Sequence, residues 1–137
     1  MGKPLRVLIV DDLEDDALLE IRALKRDGYN PEYRRVETAD AMRSSLWEKE
    51  WDIILCDYSM PKFSGPAAVN LLNETGMDIP IIMVSGVIGE ETAADCMRAG
   101  AHDFVIKQNL SRLGPAVERE LQDAESRRNR RKAENKI

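Results

Sequence analysis

Asp57 closes the apolar run Ile53-Ile54-Leu55-Cys56 and is followed by the turn-like Tyr58-Ser59-Met60-Pro61. The same punctuation recurs along the chain. Residues 5–10 stop at Asp11-Asp12, residues 79–84 at Ser85, and residues 103–106 at Lys107. One polar residue after one apolar run carries no message, because strand ends meet water. Carboxylates, a hydroxyl and an ammonium at successive strand ends do carry one. In a parallel sheet those ends share an edge, and open α/β sheets bind their ligands there.

The residue types suit phosphoryl chemistry. Three carboxylates within ~5 Å repel one another by roughly 3 kcal/mol per pair at an effective dielectric near 20. Asp11, Asp12 and Asp57 would therefore take up protons or hold a cation. Oxygen-only ligands favour Mg²⁺, which keeps several waters and shares phosphate oxygens readily. An aspartate carboxylate is a phosphoryl nucleophile, and the transfer needs positioning and charge compensation more than covalent help. Lys107 supplies a cation for the phosphoryl oxygens, and the Ser85 hydroxyl supplies a hydrogen bond. Asp57 is the expected phosphoryl acceptor.

Such a site needs a scaffold that brings distant residues together. Residues 5–10, 53–56 and 79–84 are mostly apolar on both faces, as in strands buried within a parallel sheet. Residues 103–106 read as a further strand, and 32–36, polar at alternate positions, as an edge strand. Ala17, Leu18, Ile21 and Leu24 recur at helical spacing in a helix over 14–27. Acidic residues crowd its first turn, where the helix dipole favours them. Thr38 caps a second helix carrying Ala41, Met42 and Leu46, and Ser64-Gly65-Pro66 opens a third. Residues 90–99 form the fourth, and Gly28, Gly76 and Gly100 stand where helices stop. The last helix starts near Leu110 or Ser111 and runs to about Glu134, with Gly114-Pro115 as an alternative first turn. Strands alternating with helices in this way imply right-handed crossovers and helices on both faces. The expected fold class is α/β, a doubly wound five-stranded parallel sheet with an extended C-terminal helix. The absence of a sixth strand favours the flavodoxin-like order 2-1-3-4-5 over a Rossmann-like one.

The totals narrow the function classes. A chain of 137 residues with 33% charged side chains fits one water-exposed globular domain. No segment approaches the ~20 apolar residues of a membrane span. Met1-Gly2-Lys3-Pro4 runs straight into a strand, so no secretory leader is expected, and the two cysteines, Cys56 and Cys96, show neither metal-site nor disulfide spacing. A cytoplasmic location follows as the simplest expectation. The single histidine, His102, excludes multi-histidine metal chemistry within one chain and receives no role. Residues 1–125 carry a net charge of −10 and residues 126–137 a net +5. The body is therefore not a nucleic-acid binder by charge.

Quoted in order, Val7-Leu8-Ile9-Val10-Asp11-Asp12, Ile54-Leu55-Cys56-Asp57-Tyr58-Ser59-Met60-Pro61, Ile81-Ile82-Met83-Val84-Ser85-Gly86 and Ala99-Gly100-Ala101-His102-Asp103-Phe104-Val105-Ile106-Lys107 resemble the receiver domain of two-component response regulators. The resemblance covers roughly residues 5–120. It implies that Asp57 takes phosphate from a phosphohistidine on a sensor histidine kinase or a histidine phosphotransfer protein. It further implies that Asp12, Asp57 and the Ser59 backbone carbonyl bind Mg²⁺, with Asp11 helping. Ser85 and Phe104 match the family's switch pair, in which the hydroxyl moves toward the phosphate and the ring turns inward. Homodimerisation through the fourth helix, fifth strand and fifth helix is possible on the same grounds.

Two residues depart from the family pattern. Gln108 stands where proline commonly follows the lysine through a cis bond. A cis bond before a non-proline residue costs ~2.5–4 kcal/mol, so a trans bond or a local rearrangement is expected. Phe104 replaces a commoner tyrosine. Residues 84–91 and the long final helix look most like receivers at the front of larger signalling proteins. The expected division is a receiver domain over 1–124 and, over 125–137, a helical linker toward an output module. A solvated tail or a basic nucleic-acid arm are the other readings of that segment, whose Arg127, Arg128, Arg130, Arg131 and Lys132 lack interleaved aromatics.

Other functions fit less well. A haloacid-dehalogenase-type phosphatase wants a second aspartate where Ser59 stands. A flavin or nucleotide module wants glycines and hydroxyls after the first strand, where Asp11 to Asp16 are almost all acidic. A receiver fold that only binds partners is the remaining alternative.

Overall fold

The computed structural model describes residues 2–86 and 89–134. Eight residues of β1 (Lys3–Val10) pair in parallel with eight of β2 (Tyr29–Val36), and β1 also pairs with β3 (Ile53–Cys56). Next come β4 (Ile81–Ser85) and β5 (Asp103–Ile106), giving the parallel order β2-β1-β3-β4-β5. The flavodoxin-like topology is the one anticipated. The helices are α1 (Glu14–Arg26), α2 (Ala39–Glu48), α3 (Gly65–Thr75), α4 (Glu90–Ala99) and α5 (Leu113–Glu134). Among the described residues, no helix is long and apolar enough to cross a membrane.

Alternation along buried strands divides the core in two. Leu8, Val10, Ile54, Cys56, Ile81 and Met83 face α2, α3 and α4, packing with Met42, Leu46, Val69 and Leu72. Val7, Ile9, Ile53, Leu55, Ile82 and Val84 face α1 and α5, packing with Ala17, Ile21, Leu24, Leu113 and Val117. Burial of strand residues on both faces is what their unbroken apolar runs require. Thr38 and Ser64 cap α2 and α3 through hydrogen bonds from Ala41 and Ala67 N–H, at 3.1 and 3.2 Å. Gly28, Gly76 and Gly100 follow their helices at positive φ.

Several boundaries differ from the sequence reading. The first two strands begin earlier, at Lys3 and Tyr29, because Lys3 N–H reaches Gly28 O at 2.9 Å and extends the ladder. The fourth strand starts at Ile81 rather than Ile79. Leu18 is 41% exposed, while Glu20 is buried on the stripe of Ala17, Ile21 and Leu24. The stripe follows i, i+3, i+4 and i+7, which includes position 20 and leaves 18 at its side. A 3₁₀ turn, Lys107–Arg112, intervenes between β5 and α5, so the α-helix begins at Leu113-Gly114-Pro115. Gly114 lies against α1, and a β-carbon there would collide with the Asp27 carboxylate.

His102 has a structural task that its sequence context hid. Its Nδ1 accepts from Ile81 N–H at 3.0 Å, while its own backbone N–H donates to Ile81 O at 2.8 Å. The ring thus closes the start of β4. Burial, then the positive charge of Arg127, lowers its pKa and favours the neutral ring that this acceptor role needs.

The end of α5 is held by charge rather than by apolar packing. Arg127 Nε donates to both Asp78 carboxylate oxygens at 3.2 and 3.3 Å, and Arg131 reaches the same group at 2.8 Å. Burial works against the Asp78 carboxylate, but the hydrogen bonds and charge of Arg127, then of Arg131, outweigh it and lower the pKa. Asp78→Ala is expected to speed amide exchange over residues 126–134 about tenfold, leaving the strands protected. Hydrogen-exchange mass spectrometry checks this; unchanged exchange in that segment would show that the helix needs no clasp.

Candidate functional site

Strand register gathers the predicted residues. Val10 pairs with Cys56, so Asp11 and Asp57 leave adjacent strands side by side. Their backbones are fixed too: Asp57 N–H donates to Val10 O at 2.8 Å, and Asp11 N–H to Val36 O at 2.9 Å. Carboxylate oxygens of Asp11, Asp12 and Asp57 all lie within 4.8 Å of one another. Asp11 and Asp57 are buried and Asp12 is half-buried. Asp11 also accepts from Leu13 N–H at 3.0 Å, which shapes the loop into α1. Burial raises the Asp11 pKa, against the opposing pull of Leu13 N–H and Lys107.

Lys107 enters from the end of β5. Its Nζ is 3.1 Å from Asp11 Oδ2 and 3.6 Å from Asp57 Oδ1. A third carboxylate, Asp16 on α1, lies closer still at 2.6 Å. Burial opposes the ammonium, but Asp16, Asp11 and Asp57 together raise its pKa above the ordinary value. The lysine is a firmly charged group in the middle of an acidic ring.

The remaining predicted residues lie around this centre. Ser85 is buried at the end of β4, where it pairs with Ile106. Phe104 is half-buried, packed on the core beneath α4, with its carbonyl held by Arg112 Nη1 at 3.2 Å. Ser59 is exposed in the loop after β3. The described residues contain no cis peptide bond, so Lys107-Gln108 is trans, and the 3₁₀ turn starts there. Residues 87 and 88 of the loop between β4 and α4, read above as resembling receivers of larger proteins, lie outside the described residues.

Two acids of the site were not anticipated. Asp16 was legible only as one of several acids suited to a helix N-terminus. Glu20, one turn further along α1, is 2% exposed, and its Oε2 has no hydrogen-bond partner among the described residues. Burial pushes its carboxyl well up, and the charges of Asp11, Asp16 and Asp57 push in the same direction. The spacing of Ala17, Ile21 and Leu24 placed position 20 on the buried face, and that signal was present in the sequence.

The site is an open edge. A shallow hollow lined by Asp12, Leu13, Glu14, Asp15 and Asp16 lies beside it. The donor set fits a hard divalent cation, since three carboxylates converge with no nitrogen or sulfur ligand.

Comparison with known proteins gives a consistent result. The family model for the response regulator receiver domain matches residues 7–118. The transcriptional regulatory protein ZraR of Salmonella typhimurium is 30% identical over 116 residues, covering 84% of this chain and 26% of ZraR. The nitrogen assimilation regulatory protein NtrX of Azorhizobium caulinodans is 29% identical over 125 residues, covering 89% of this chain and 27% of NtrX. A crystal structure of NtrX from Brucella abortus superposes with a TM-score of 0.82 at 26% identity, covering 97% of this chain and 30% of that one. The chain spans about a quarter of the length of these curated relatives.

Proposed function

We propose, from the premise that this chain belongs to the response regulator receiver domain family, that it is a phosphorylation switch whose acceptor is Asp57. The phosphoryl group comes from a phosphohistidine of a sensor histidine kinase or a histidine phosphotransfer protein. The observation that carries this reading is one constellation: the Asp57 carboxylate within 4.8 Å of Asp11 and Asp12 oxygens and 3.6 Å from the Lys107 ammonium.

Each residue then has a task. An Asp57 oxygen attacks phosphorus; the P–N bond to the donor imidazole breaks and its electron pair stays on the ring nitrogen. Lys107 compensates charge on the phosphoryl oxygens, and Ser85 donates a hydrogen bond to one of them. Asp11, Asp12, Asp57 and the Ser59 carbonyl would hold Mg²⁺, which when bound neutralises charge that the acidic cluster would otherwise repel. Movement of Ser85 toward the phosphoryl group, with Phe104 turning inward, remodels the face of α4 and β5. A homodimer through α4, β5 and α5 fits the same reading.

The chain acts on itself and is not a turnover enzyme. Residues 1–124 serve as the receiver and residues 125–137 as a helical linker toward an output module. The cytoplasm suits a kinase-fed domain with two free cysteines, Cys56 and Cys96. Incubation with Mg²⁺ and a small acyl phosphate is expected to add one phosphate-sized mass to the wild type and none to Asp57→Ala. No gain on the wild type, or an equal gain on the variant, would overturn the assignment.

A further inference from the structure

Lys107 has one task in that reading, yet before any transfer its hydrogen bonds are engaged elsewhere. Its hydrogen bonds go to Asp16 at 2.6 Å and Asp11 at 3.1 Å, whereas Asp57 at 3.6 Å is outside hydrogen-bond range. An ammonium has only three donors, so each acceptor it holds is withheld from another. Asp16 has no other hydrogen-bond partner among the described residues, and its side chain is 26% exposed, sheltered enough for the pair to matter. It stands in the first turn of α1 and is absent from the strand-end set that makes up the phosphoryl site.

We propose that Asp16 is a positioning residue that competes with Asp57 for Lys107, and so sets how readily Asp57 is phosphorylated. The inference rests on Asp57 being the phosphoacceptor. Before transfer, Asp16 and Asp11 hold the lysine away from the incoming oxygens. After transfer, a phosphoryl group offers roughly −1.5 to −2 charge and three acceptor oxygens, against the single charge of Asp16. The lysine then leaves Asp16 for the phosphoryl group. The first turn of α1 loses a contact, so phosphorylation is reported on α1 as well as on α4 and β5.

The test compares Asp16→Asn, which keeps shape and removes charge, with Asp16→Glu, which keeps charge. Asp15→Asn is the control, because Asp15 is an exposed neighbour with the same charge and, among the described residues, makes no hydrogen bond or ion pair with Lys107. Phosphorylation by acetyl phosphate with Mg²⁺ is followed by mass, and the Lys107 Nζ resonance is followed by NMR without donor. Asp16→Asn is expected to be phosphorylated about 3- to 10-fold faster at sub-saturating donor, with a shifted Lys107 signal. Asp16→Glu and Asp15→Asn should stay near wild type in both. An unshifted lysine signal, an unchanged or slower rate in Asp16→Asn, or equal acceleration by Asp15→Asn would each overturn the proposal. A shifted lysine signal with no phosphorylation of the wild type would instead overturn the phosphoacceptor reading, and the proposal with it.

Discussion

Lys107→Ala is expected to move two measurements in opposite directions. Phosphorylation from a small phosphodonor should fall about 10²- to 10³-fold, the usual cost of losing one preorganised charge partner for developing anionic oxygens. Mg²⁺ affinity should rise, by about tenfold, because the same ammonium competes with any cation for Asp11 and sits 3.6 Å from Asp57. Without Lys107 the metal-free chain is left with Asp11, Asp16 and Asp57 uncompensated, and its melting temperature should drop. Saturating Mg²⁺ should restore more stability to the variant than to the wild type, since a ligand that binds only the folded state stabilises by mass action. Thermal melts with and without Mg²⁺, beside calorimetry of Mg²⁺ binding and phosphorylation rates, check all three. Weaker Mg²⁺ binding in the variant would mean that Lys107 organises the carboxylates more than it competes for them.

That expectation draws on residues the sequence made visible and one it did not. Strand ends were legible because a polar residue stands out against a run of apolar ones buried on both faces. Asp11, Asp57, Ser85 and Lys107 therefore stand out against Val7, Ile54, Met83 and Val105. Parallel pairing puts all these ends on one edge, and the Val10–Cys56 register sets Asp11 beside Asp57. Helix spacing was legible for the same reason, and residues 90–99 and 103–106 match α4 and β5 as found.

Side-chain contacts between helix and strand ends were not legible. Asp16 reaches Lys107 across 91 positions of sequence, and nothing local distinguishes it from Asp15. His102 looked like a loop residue before a strand, because its partner is a backbone N–H of the neighbouring strand. The end of α5 has little apolar surface, so periodicity gave no reason to dock it. Its anchor is Asp78, in the loop before β4, contacting arginines 49 and 53 residues away. Polar contacts of this kind have no period, and only the fold reveals them.

Glu20→Leu is expected to stabilise the protein, by more at neutral pH than at acid pH. The position is 2% exposed on the buried face of α1, and one carboxyl oxygen has no hydrogen-bond partner among the described residues. A buried polar group left unsatisfied costs about 1–3 kcal/mol, and leucine removes that cost at similar volume. The sign of the pH effect follows from the raised carboxyl. As pH rises past the ordinary value of 4.5, the unfolded chain releases this proton while the folded chain keeps it. The unfolded state then binds fewer protons, so this group's contribution to stability falls with rising pH until the folded carboxyl also ionises. Below the ordinary value both states are protonated, and only the desolvation of a neutral acid remains. Leucine carries no such dependence, so the stability gained over wild type should be smallest near pH 4 and approach about 1–3 kcal/mol by pH 7. Urea melts of both proteins across that range measure the difference directly, with the other carboxylates cancelling between them. A destabilised Glu20→Leu at neutral pH would instead make Glu20 a working partner of Lys107, and α1 would then contribute two charged groups to the site.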